Sequence, residues 1–176
     1  MLNIIMNNLI KKNFLPFILL VLFLSLFRLI PHPSNFTPIL AAGIFSGFYF
    51  RNLLLGSFIV ILSMFIGDLI IGFHSTMIFT YTSLIAVVAI GLFIKKFNFK
   101  EIFLSGLSGS VCFFIITNFG AWINLAMYEK NLQGLIQSYI LAIPFFHNTL
   151  LSTFIYLIGI KLILDYTARY KAKKIS

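Results

Sequence analysis

Long apolar runs, separated by short stretches of polar residues, glycine and proline, set the pattern of this chain. A helix crossing about 30 Å of hydrocarbon needs about 20 apolar residues, and runs near that length recur with only brief breaks. They predict spans at 14–30, 37–50, 53–73, 76–94, 101–121 and 144–164. The expected architecture is all-α, a polytopic membrane bundle of six transmembrane helices in one domain over residues 1–176. The second span is too short to cross at a rise of about 1.5 Å per residue, so the bundle should shield it or its flanking loop should continue it.

Residues 124–143 depart from the pattern. They are polar at Glu129, Lys130, Asn131 and Gln133 but apolar at Leu135, Ile136, Tyr139 and Ile140, which predicts a short interfacial helix or lid. Pro144 then suits the first position of the last helix, where its missing N–H is not needed. In the second span, Ala42 with Ser46 and Gly43 with Gly47 stand one turn apart and let another backbone approach closely. Such a face serves packing inside one bundle or docking onto a partner membrane subunit. The fifth span opens in the same way with Ser105, Gly106, Ser108, Gly109 and Ser110.

Composition agrees with a lipid environment: 60% of residues are hydrophobic and 10% charged, far from the shares of a soluble domain. The net charge of +9 would ordinarily raise nucleic acid as a partner. Here it orients the bundle instead, because Lys and Arg concentrate in cytoplasmic loops. With both termini in the cytoplasm and the protein in the inner membrane of the cell, every Lys and Arg except Arg28 and Lys130 falls on the cytoplasmic side. Lys11 and Lys12 ahead of an apolar run resemble a signal peptide, but no small-x-small site follows, so the run is expected to stay as a span. Cys112 lies in an apolar run and reads as a small hydrophobe.

On this topology Arg28, His32, Ser34, Asn35, Asp68, His74, Asn118, Trp122, Tyr128, Glu129, His147 and Asn148 all fall at or near the outer ends of spans, which implies a pocket open to the outside. Asp68 lies about 9 Å inside a helix end and needs a partner or water. Arg28 matches it in depth, and the two either fasten the first helix to the third or meet a ligand. Trp122 reads as an interfacial anchor or as a stacking platform. His32, Asp68, His74 and His147 are chemically suited to a metal, yet no local ligand spacing supports one, and no metal or cofactor is expected. Phosphate-cradling glycine loops, serine elbows and paired intramembrane aspartates are absent from the sequence, so the chain is not expected to be an enzyme or to supply its own energy.

Four stretches carry a family resemblance: Arg28-Leu29-Ile30-Pro31-His32-Pro33-Ser34-Asn35-Phe36-Thr37-Pro38, Gly67-Asp68 with Gly72-Phe73-His74, Thr117-Asn118-Phe119-Gly120-Ala121-Trp122, and Ile143-Pro144-Phe145-Phe146-His147-Asn148-Thr149. With them the chain resembles an uncharacterised bacterial membrane family described as transport proteins, itself similar to the substrate-binding S components of energy-coupling-factor transporters. The resemblance implies capture of a small molecule (a vitamin, a precursor or a metal ion as cargo) and docking onto a transmembrane coupling subunit driven by two cytoplasmic ATPases. It also implies a pocket lined by Arg28, Asn35, Asp68, Asn118, Trp122 and His147 beneath the lid, with His32, His74 and Asn148 nearby, and a docking face at Ala42, Gly43, Ser46 and Gly47. The second helix departs from the family pattern in carrying glycine and mixed small residues where S components have alanine-x-x-x-alanine. Two other functions remain open: a membrane-embedded enzyme using Asp68 and the histidines, and a membrane scaffold or assembly protein.

Overall fold

A computed structural model describes residues 15–175; Lys11 and Lys12, ahead of the first predicted span, and Phe14, its first residue, lie outside them. Seven helices and no strand occur among the described residues: α1 (Leu15–Phe27), α2 (Ile39–Phe50), α3 (Leu53–Ile71), α4 (Met77–Leu92), α5 (Phe99–Asn124), α6 (Leu132–Ile140) and α7 (Ile143–Ile175). The chain is a helical bundle, with α6 inside the predicted lid segment.

Asparagine caps start three of these helices. The Oδ1 atoms of Asn52, Asn98 and Asn131 accept from the backbone N–H groups of Leu55 (3.1 Å), Glu101 (3.0 Å) and Gly134 (2.9 Å), each satisfying a donor that the first turn would leave orphaned. Arg51 ends α2 in the left-handed region at φ 51°, which lets the chain reverse into α3 within two residues. Its guanidinium donates to the Leu92 carbonyl at 2.8 Å and lies 4.9 Å from the Phe48 ring, tying this turn to the end of α4. The last helix runs well past the predicted residue 164. Lys161 and Asp165, one turn apart and 2.5 Å from each other, favour helix where apolar burial has ended.

α2 is the centre of the bundle, packed against α3, α4, α5 and α7. Ile39 to Ile44, Ser46 and Gly47 are all buried. Its crossing with α4 is backbone on backbone: a Cβ on Gly47 would overlap the Val88 carbonyl, and one on Gly91 would overlap the Ile44 carbonyl. The small-residue face of Ala42, Gly43, Ser46 and Gly47 is therefore covered within the chain. Gly43 meets Val87, and Ser46 donates to the Gly56 carbonyl of α3 at 3.2 Å. Of the two uses read from the sequence, the structure displays internal packing, and it leaves these four residues no free surface for a partner.

The outside of the bundle is apolar and the inside contains hydroxyls. Leu54, Phe58, Leu69, Phe103, Ile115, Leu151 and Leu162 are exposed, whereas Ser25, Ser63, Ser83, Ser110, Ser152 and Thr153 are fully buried. Hydroxyls buried among an apolar core, beneath an apolar exterior, fit a lipid surround, where small and polar contacts between helices add to packing. Leu53–Ile71, Phe99–Asn124 and Ile143–Tyr170 are long and apolar enough to cross a membrane; Ile18–Phe27, Ile39–Phe50 and Met77–Leu92 are apolar but shorter.

The chain ahead of α2 is non-helical and lies along α7. The Ser34 carbonyl accepts from Asn148 Nδ2 at 3.0 Å, while the Phe36 ring lies 6.3 Å from that of Tyr156, about 12 Å further along α7 at 1.5 Å per residue. The 28–38 loop thus descends beside α7, and α2 begins deep in the bundle with Pro38 and Ile39 buried.

Candidate functional site

Arg28 leaves the end of α1 and lies across α3 at Gly67, where a Cβ would come within 2.6 Å of its Nη1. The glycine makes room for the guanidinium to reach the next residue. Nη2 stands 2.7 Å from Asp68 Oδ1, and Nη1 donates to the Met64 carbonyl at 2.9 Å. From α4, the Tyr81 hydroxyl donates to Asp68 Oδ2 at 2.6 Å. Oδ1 receives no hydrogen bond of good direction; the guanidinium charge beside it is what compensates that atom. Asp68 is 1% exposed, so the three residues form a neutral, nearly dry fastening of α1, α3 and α4. With both charges and the phenol committed to one another, this cluster holds helices together and offers little to a ligand.

A second group lies around the descending loop. Asn35, at φ 63°, occupies the left-handed region that asparagine tolerates better than most residues. With Thr117 and Asn118 of α5 and Thr149 of α7 it lines a cavity of about 50 Å³, walled by Phe113, Phe114, Phe145 and Phe146. Thr117 and Thr149 turn their hydroxyls back to the Phe113 and Phe145 carbonyls (2.7 and 2.9 Å). Asn118 Nδ2 donates to the Phe114 carbonyl at 2.8 Å. The Asn35 carboxamide and Asn118 Oδ1 have no protein partner among the described residues, so both are free to meet a polar solute.

Trp122 and Lys130 belong to the end of α5. The indole Nε1 donates to the Glu129 carbonyl at 2.9 Å and the ring lies 5.6 Å from Phe119. The Lys130 ammonium donates to the carbonyls of Trp122 and of Leu125, the latter at 2.9 Å, placing positive charge at the negative end of the helix. The Tyr139 phenol on α6 donates to the Ile115 carbonyl at 2.9 Å, and burial pushes its pKa up.

The histidines stay apart. His32 stacks on Phe27 and donates from Nδ1 to the Pro33 carbonyl at 2.9 Å. His74 is exposed with Nδ1 2.9 Å from Thr76 Oγ1, and His147 is exposed on α7. Among the described residues no three His, Cys, Asp or Glu side chains converge where a metal ion could sit. The single pocket implied by the resemblance is thus divided: Arg28 with Asp68, Asn35 with Asn118, Trp122 at the lid, and Asn148 pinning the loop.

Sequence reasoning passed over Tyr81 and used Gly67 only inside a motif. For Tyr81 the available signal was distance from the 72–76 turn: Asp68 precedes it and Tyr81 follows it by a similar number of residues, so a hairpin of two helices brings them level. No curated protein and no solved structure matches the chain. Across residues 8–171, nearly its entire length, it matches a family of unknown function, DUF6580, and the chain belongs to that family.

Proposed function

We propose that the chain is a substrate-capturing component of a small-molecule uptake system, spanning the inner membrane with six helices and both termini in the cytoplasm. The cleft between the 28–38 loop, α5 and α7 is its binding site. One observation carries the reading: irregular backbone runs beside α7 at the depth of its apolar stretch, with the uncommitted Asn35 carboxamide and Asn118 Oδ1 at the cavity it borders. Non-helical chain inside a membrane is tolerated where it is shielded by protein or lines a cavity, and transporters build substrate sites from such breaks. One amide that donates and accepts and a second amide oxygen that accepts, set among four phenylalanine rings, suit a small neutral or zwitterionic molecule with an apolar body. The cavity of about 50 Å³, with Asn35 exposed at its edge, takes only a part of such a molecule, and an outward swing of the loop or of α6 widens it for the rest. Energy would come from partners, a coupling subunit with cytoplasmic ATPases, as the resemblance to S components implies.

The test is native mass spectrometry of protein extracted from its own host membrane, beside the Asn35→Ala and Asn118→Ala variants. The expected result is a retained small molecule, with retention falling about tenfold in each variant, the effect of losing one hydrogen bond to a polar ligand, and co-purifying coupling subunits. Equal retention by all three proteins overturns the site, and conversion of the bound molecule to a product would move the reading to an enzyme.

A further inference from the structure

A groove of about 470 Å³ runs between α4, α5 and α6, lined by Ile78, Phe79, Thr82, Ile115, Phe119 and Tyr139, with Ile116 behind. Its volume lies in the range of about 300–1,000 Å³ typical of small-molecule sites, and its chemistry is that of hydrocarbon. Both hydroxyls are already used, Thr82 on the Ile78 carbonyl at 2.6 Å and Tyr139 on that of Ile115. Water entering it would find few partners. The groove opens sideways: Ile78, Ile115 and Phe119 are 69%, 51% and 40% exposed, on the face that the apolar exterior turns to lipid.

Its polar end is different. Phe119 touches Trp122, and the carbonyls of Trp122 and Leu125 hold two of the three N–H donors of the exposed Lys130 ammonium. The neighbouring Glu129 carboxylate is engaged by Asn131 Nδ2 at 2.8 Å. Above the groove α6 exposes Leu132, Ile136 and Ile140, one turn apart, the stripe of a helix lying in the membrane interface.

We propose that this groove holds one acyl chain of a membrane phospholipid, with the lipid phosphate at Lys130 and α6 as the interfacial roof. An apolar slot with exposed Ile78, Ile115 and Phe119 along its side, and with a cation held at the Trp122 and Leu125 carbonyls about one turn beyond Phe119, matches an anionic amphiphile. The inference stands apart from the cleft at Asn35 and Asn118, which lines a different cavity.

The protein is placed in nanodiscs of equal phosphatidylglycerol and phosphatidylcholine, stripped gently with detergent, and its retained phospholipid is counted by native mass spectrometry. One lipid is expected to stay, with phosphatidylglycerol favoured about fivefold, the scale of one lysine at an anionic headgroup. Thr82→Phe, which fills the groove, should abolish retention, while Ile155→Phe on the lipid face of α7 should leave it intact. Lys130→Gln should keep a lipid and lose the headgroup preference. Retention by Thr82→Phe equal to the parent, or an occupant that is not a phospholipid, overturns the proposal. Should Thr82→Phe fail to fold, the sole tryptophan provides a second measurement on the parent protein. Brominated-chain phosphatidylglycerol at low mole fraction should quench Trp122 fluorescence to saturation, and quenching that only rises in proportion to bulk lipid overturns it.

Discussion

A carboxylate in the last turn of a helix faces the negative end of the helix dipole, and Asp68 accepts the Gly72 N–H through its own carbonyl just before α3 ends. Only a close cation makes that position tenable in a dry site. Removing one partner of a buried pair leaves the other uncompensated, a loss of about 3–5 kcal/mol. Arg28→Met and Asp68→Leu are therefore each expected to lower stability by that order in denaturant titrations of the micelle-bound protein. The double variant, which removes both charges, should recover most of the loss. If each single change costs nothing, the fastening role is wrong. Tyr81→Phe deletes a hydrogen bond to a charged acceptor and should cost about 1.5–3 kcal/mol. The pairing of Arg28 with Asp68 was legible because both residues sit at matching depth. Tyr81 was not, because a tyrosine in an apolar helix reads as ordinary filling until the partner across the turn is known. Gly67 was quoted only as part of a motif; its use, making room for a guanidinium, depends on a side chain from another helix.

Two glycines decide whether α2 can occupy the middle of the bundle. At Gly47 and Gly91 the obstacle to a Cβ is the facing helix backbone, which cannot turn aside as a flexible side chain would. Gly47→Ala and Gly91→Ala are each expected to cost at least about 1–3 kcal/mol through overpacking and to reduce the yield of folded protein. Gly159, where a methyl group would have nothing within 4 Å, should accept alanine with a gain of about 0.5–1 kcal/mol from helix propensity. Thermal unfolding of the three variants in one detergent separates these outcomes, and equal midpoints would contradict the crossing. The sequence showed that α2 carries a small-residue face and is too short for a span. It could not show whether that face meets the chain's own helices or another protein, since the same spacing serves both. Nor could it show that the 28–38 loop runs alongside α7, because that follows from its contacts with Asn148 and Tyr156.

At the scale of the whole molecule the two ends differ. Asn35, Asp68, Tyr81, Asn118, Trp122 and Lys130 gather toward one end, and Arg51, Lys95, Lys96, Lys100 and the tail of α7 toward the other. The alternation of helices and turns made this division legible from sequence, and the described helices alternate as expected. The division of one expected pocket into separate clusters was not legible, because it depends on which polar groups satisfy each other first. In the proposed six-span orientation the charge asymmetry reports the membrane itself, since basic loops stay in the cytoplasm. With Cys112 replaced by alanine, single cysteines at Ser34, Lys130, Lys96 and Arg169 sample exposed positions at both ends. An impermeant thiol reagent added to intact cells should modify the first two, and the last two only after the membrane is opened. The opposite pattern would place the Asn35 cleft on the cytoplasmic side and end its reading as a site of uptake. Labelling of Ser34 and Lys96 from the same side would instead require an even number of crossings between them, so that α2, α3 and α4 could not all be successive spans.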